Sequence, residues 1–123
     1  MTITERVNPI KITDKETNHI YVLDFSRDTV NFAEENGFDW DQIGTKPATM
    51  IPLLWYCAFR RYDRRISFDK TTQLLEDLGG MRMEWIKRLH ELYDQSMASL
   101  IADPDKVDSE DNAKNAMLTV TLD

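Results

Sequence analysis

The residues best equipped for chemistry stand in one run, Arg60-Arg61-Tyr62-Asp63-Arg64-Arg65, directly after the apolar stretch I-P-L-L-W-Y-C-A-F. Two arginine pairs around a tyrosine could hold phosphates while Tyr62 stacks on a base. Asp63 interrupts the run and the chain as a whole carries a net charge of −7, so such binding would be local and strongly salt-dependent. The same arginines also suit the end of a helix, where cations complement the negative end of its dipole.

Other reactive groups are isolated. Cys57 is the chain's one cysteine and lies inside the apolar stretch, so it has no disulfide partner within the chain and reads as a small buried hydrophobe. His19 falls in a strand-like segment and His90 on a helix, without the order of a catalytic triad or the spacing of metal ligands. Asp39 with Asp41 and Glu34 with Glu35 are carboxylate pairs open to acid–base work, but only in a pocket that drives their pKa values apart. The run D-P-D-K-V-D-S-E-D lacks the glycine and closing glutamate of an EF-hand loop, which argues against calcium. These residues therefore predict a non-enzymatic interaction domain with no catalytic, cofactor or metal site. Its candidate partner surface is Trp55, Tyr56, Phe59, Arg60, Arg61, Tyr62, Arg64 and Arg65.

At 123 residues the chain fits one domain, able to bury roughly two thirds of its unfolded surface. No apolar run approaches the ~18 residues of a membrane span, and M-T-I-T-E-R-V-N-P lacks a signal peptide's hydrophobic core, so a cytoplasmic protein is expected. Charge is uneven: residues 102–123 hold Asp103, Asp105, Asp108, Glu110, Asp111 and Asp123 against Lys106 and Lys114, which leaves only −3 for the rest.

Positioning these groups requires an α+β domain. Ile10 and Ile12 alternate with polar residues, D-K-E-T-N follows, and H-I-Y-V-L-D-F completes an N-terminal β-hairpin with a loop longer than two residues. Ser26 is the expected N-cap of a helix from Arg27 to Asn36, with Phe25 and Val30 as its staple and Gly37 as its stop. Phe38 and Trp40 lie in a structured loop closing on Gly44 and Pro47; they either cap the core, the commoner fate of a tryptophan, or face a partner. Thr49 is the expected cap of a central helix with Pro52 in its first turn and Ile51, Trp55, Ala58, Phe59 and Tyr62 on one face. Asp69 is the expected cap of a third helix ending at Gly79 and Gly80. A fourth, from Arg82 to Ile101 and about 30 Å long, carries the stripe Trp85, Ile86, Leu89, Leu92, Tyr93, Met97 and Leu100, with Lys87 and Glu91 paired on its solvated side. The hairpin thus packs on a cluster of about four helices, residues 1–102. Residues 103–123 form a flexible acidic tail, whose closing M-L-T-V-T-L-D could add to a sheet edge.

Three segments carry a further likeness: Y-V-L-D-F-S-R-D-T-V-N-F-A-E-E-N-G-F-D-W-D-Q-I from Tyr21, M-I-P-L-L-W-Y-C-A-F from Met50, and I-S-F-D-K-T-T-Q-L-L-E-D-L-G-G from Ile66. In words and in element order, from Ile10 to Ile101, the chain resembles the tail assembly chaperones of long-tailed phages and prophages of Gram-positive bacteria. The resemblance implies a protein of the host bacterial cytoplasm, absent from the mature virion, that coats the tape-measure protein and helps major tail protein subunits polymerise around it. Self-association is open. The resemblance also implies a longer form made by ribosomal frameshifting, for which Ala113-Lys114-Asn115 is the candidate slip site. The alternatives are a small phage nucleic-acid-binding or regulatory protein that uses Arg60–Arg65, and a head-to-tail joining protein.

Overall fold

The computed structural model describes residues 6–100 and Leu122. The hairpin is present: β1 (Ile10–Thr13) pairs antiparallel with β2 (Ile20–Leu23), placing Ile10 opposite Leu23 and Thr13 opposite Ile20. Its loop closes through Asp14, whose N–H donates to His19 O (2.8 Å) and whose carboxylate accepts from Glu16 N–H (2.9 Å). Asn18 takes the left-handed conformation, φ 60°, which asparagine tolerates better than other residues with a Cβ. Period-two alternation sends Tyr21 and Leu23 into the core and leaves Ile20 exposed.

Four α-helices follow among the described residues: α1 (Arg27–Glu35), α2 (Pro47–Phe59), α3 (Phe68–Asp77) and α4 (Met83–Ser96), with a 3₁₀ turn at Trp40–Gln42. Ser26 caps α1 as expected. Its Oγ accepts from Thr29 N–H (3.3 Å) while Thr29 Oγ1 accepts from Ser26 N–H (2.8 Å), so threonine serves where a capping box usually has glutamate. Gly37, at φ 86°, ends the helix.

α2 begins earlier than its sequence suggests. Pro47 occupies the first helical position after Lys46, so Thr49 is not the cap and Pro52 lies inside the helix. Proline at the first position costs nothing because that N–H has no helical acceptor, whereas Pro52 withholds the bond that Ala48 O would accept. α2 contains no charged residue and is apolar all round, the pattern of a helix buried on most sides. Met50, Leu54, Trp55, Cys57, Ala58 and Phe59 are all buried. Trp55 Nε1 donates to Thr71 O of α3 (2.8 Å), and its ring stacks on Trp85 of α4, centroids 5.9 Å apart. Phe59 meets Tyr21 of β2 edge to face at 5.5 Å.

α3 is capped by Ser67, whose Oγ accepts from Lys70 N–H (3.0 Å); Asp69 sits in the first turn and is not the cap. Gly79 and Gly80, at φ 86° and 100°, make the turn into α4. α4 stops at Ser96, short of the expected Ile101. Ser96 Oγ donates to Tyr93 O (2.7 Å), and Met97 N–H bonds Asp94 O (3.1 Å) in a tighter i, i+3 pattern that does not propagate the helix. Leu89, Leu92 and Tyr93 carry the buried stripe. No Lys87–Glu91 ion pair forms among the described residues: both side chains are exposed, where such a pair gains at most a few tenths of a kcal/mol and solvent competes for both charges. Phe38 is buried and Trp40 half-buried, edge-on to Tyr93 at 5.3 Å, so the loop caps the core. The acidic tail, its strand-like end and Ala113-Lys114-Asn115 lie outside the described residues.

Candidate functional site

The expected partner surface divides into an inner and an outer set. Trp55 and Phe59 have no exposed surface. They build the core and cannot meet a partner in the folded domain, because α2 is enclosed by β2, α3 and α4 on that side. Arg61 is also structural: Nη1 donates to Asp24 Oδ2 (2.7 Å) and to Phe25 O (3.0 Å), an ion pair whose carboxylate is nearly buried. The helix ends at Phe59, so Arg61, Tyr62, Arg64 and Arg65 stand on the turn into α3 and not on a helix, with Arg60 as the C-terminal cap.

Of the outer set, Tyr56 and Arg60 form a ledge about 100° around α2 from Trp55 and Phe59, while Tyr62, Arg64 and Arg65 line a separate cleft. Tyr56 is half-buried, with Phe32 of α1 edge-on at 6.0 Å and Phe68 of α3 edge-on at 5.5 Å. Arg60, one turn after Tyr56, lays its guanidinium over the Phe32 ring at 4.0 Å and donates from Nη1 to Tyr56 Oη (3.1 Å) and Arg64 O (3.2 Å). The i, i+4 spacing brings Tyr56 and Arg60 to the same face; the Ser67 cap sets Phe68 at the first position of α3, beside them. Phe68 is 44% exposed. A groove of about 310 Å³ continues the ledge between α1 and Arg60, with Asp28 and Glu35 on its α1 wall. Three aromatic rings, two of them under the Arg60 guanidinium, can hold an apolar helix face and orient acidic residues along its edge.

Residue pattern does not mark Phe32 or Phe68 as members of a partner surface. Phe32 belongs to the thin apolar side of α1 and reads as core, and Phe68 stands alone among polar residues. Their meeting depends on how α1 and α3 flank α2, which short-range periodicity does not encode.

Reactive chemistry is muted elsewhere. Burial pushes the Cys57 thiol up from 9.0 to about 12, partly opposed by Arg60, so the thiolate that nucleophilic attack requires is not populated at neutral pH. Tyr93 is pushed from 10.0 to about 12, by burial first and then by the charges of Glu34, Cys57, Asp94 and Asp39. Asp39 is a local cap, accepting from Asp41 N–H at 2.9 Å, and Glu35 accepts from Asn31. His19 lies 3.7 Å from Asp63, and His90 lies 3.3 Å from Asp94 with its ring against Trp40. Among the described residues no group of three or more His, Cys, Asp or Glu is placed to hold a metal ion, and no helix is long and apolar enough to cross a membrane.

Fold and ledge together define a small α+β domain, a hairpin on four helices, that presents an aromatic face topped by arginine. Residues 2–122 match the family described as a domain of unknown function, DUF5055, and the chain belongs to that family. No curated protein and no solved structure matches it.

Proposed function

We propose that this chain is a non-enzymatic tail assembly chaperone of a long-tailed phage or prophage, which binds the tape-measure protein and promotes assembly of the major tail protein around it. The observation that carries the reading is the ledge of Phe32, Tyr56, Phe68 and Arg60, an aromatic strip beside α2 in which Phe68 is exposed and the other three are half-buried. A tape-measure protein exposes a long helical apolar surface before the tube encloses it. A chaperone for that surface needs aromatic contact area that is complementary yet releasable. The likeness of the segments beginning at Tyr21, Met50 and Ile66 to such chaperones supports the same reading, under which the chain acts in the host-cell cytoplasm and is left out of the finished virion.

Co-expression with a helical tape-measure fragment from the same gene cluster tests this. The proposal expects a soluble complex that high salt weakens only in part, because apolar burial outweighs the arginine contacts. An insoluble fragment unaffected by the chain would contradict it. Sub-micromolar binding of double-stranded DNA at physiological salt, abolished by Arg60→Ala with Arg64→Ala, would replace it with the nucleic-acid reading.

A further inference from the structure

Beyond Arg64 the surface changes character. Arg64 and Arg65 on the turn and Lys70 in the first part of α3 line a cleft of about 490 Å³, with Tyr62 and His19 at its rim and Asp63 as its acidic member. Asp63 faces His19, and none of Arg64, Arg65 and Lys70 forms an ion pair among the described residues. In a chain of net charge −7 this is a local excess of positive charge that folding leaves unneutralised.

The chain itself supplies the complement. Leu100 lies in a hollow with Arg27, Asp28 and Asn31. Asp28 and Asn31 also line the groove that runs past Arg60 to Arg64, and Arg64 in turn borders the cationic cleft. The acidic segment is thus tethered at Leu100, whose hollow shares Asp28 and Asn31 with the groove that reaches Arg64. It is also the chain's most acidic part: Asp103, Asp105, Asp108, Glu110 and Asp111 stand against Lys106 alone. The eight to eleven residues from Leu100 to Asp108–Asp111 reach roughly 26–40 Å when extended, against a diameter of about 30 Å for a domain this size. The near wall bears Asp28 and Glu35, which repel an acidic strand, so the seat is the far cleft and not the groove leading to it.

We infer that the chain's own acidic segment, residues 103–111, docks on the Arg64, Arg65 and Lys70 cleft. The tether sets the effective concentration in the millimolar range, enough to populate contacts that would be negligible between separate molecules. The segment then shields these cations from nucleic acid and from acidic proteins that do not outcompete it. The inference concerns one chain alone and does not depend on the tape-measure reading.

Paramagnetic relaxation on the full chain tests it, with a nitroxide on Ser109→Cys; buried Cys57 stays unlabelled under native conditions. The amide signals of Arg64, Arg65 and Lys70 should lose about half their intensity or more in low salt, and recover near 0.5 M salt, where the Debye length is roughly 4 Å. Recovery is also expected when the five tail acids are replaced by their amides, and in the Arg65→Gln, Lys70→Gln double variant, whose altered positions are exposed. Loss on another face, no selective loss, or loss that persists in those variants would overturn the inference. So would transfer of the effect between molecules in a mixture of nitroxide-bearing unlabelled chains and isotope-labelled chains, which would make a second copy the occupant.

Discussion

Arg61 Nη1 stands 2.7 Å from Asp24 Oδ2, two residues 37 apart in sequence, and the pair joins the end of α2 to the junction of β2 and α1. Asp24 is 5% exposed, and both its carboxylate oxygens and its N–H are engaged. Oδ1 accepts from Phe25 N–H (2.8 Å), while its own N–H donates to Ala58 O (3.0 Å). The pair and these backbone bonds attach the hairpin to the helical cluster at one point.

Arg61→Met therefore costs about 2–4 kcal/mol, because it leaves the buried Asp24 carboxylate without its countercharge, and Asp24 Oδ2 and the Phe25 carbonyl without their donor. Urea denaturation measures it. A cost below about 0.5 kcal/mol, the range of an ordinary surface arginine, would show that the junction does not depend on the pair.

Leu89 has no exposed surface and lies in the core stripe of α4. Leu89→Ala is expected to cost about 2–5 kcal/mol through lost transfer energy and the cavity left behind. A measured loss under about 0.5 kcal/mol would mean that α4 does not pack as described.

Stability should fall in alkali. Cys57 and Tyr93 ionise near 9.0 and 10.0 when unfolded but near 12 when folded, so above pH 9 the unfolded chain sheds protons that the native chain keeps. This contribution is fully present below pH 9 and is lost progressively as pH rises toward 12. The urea midpoint at about pH 10.5 should thus lie below that at about pH 8, with a shallower decline in Cys57→Ala. A midpoint that rises, or a decline identical in the variant, would contradict the burial of the thiol.

Phe68→Ser separates surface from core. Phe68 is 44% exposed and touches the ledge only by its edge, so thermal stability should change by about 1 kcal/mol or less. A loss comparable to that of Leu89→Ala would make Phe68 a core residue and remove it from the proposed face.

Much of the fold is legible locally. Ser26, Gly37 and the Gly79-Gly80 pair mark helix ends because caps and left-handed turns act within a few residues. The start of α2 was obscured by its prolines: Pro47 signals loop closure and a first helical position equally well, while Pro52 near Thr49 imitates a later start. The site is less legible. An arginine run predicts a basic surface, yet Arg61 turns inward to Asp24 and Arg60 lies over Phe32, and both partners come from distant segments. Trp55 and Phe59 illustrate the converse: aromatic richness in a helix marks either a docking face or a core, and here α2 is enclosed on the side they occupy.

Calorimetric titration with a helical tape-measure fragment tests the central claim most directly, comparing the wild-type chain with Phe68→Asp. The account predicts measurable wild-type binding, weakened at least about tenfold, or about 1.4 kcal/mol, by Phe68→Asp, with the folded domain intact by circular dichroism. Absence of wild-type binding, or equal affinity in the two proteins, would contradict it.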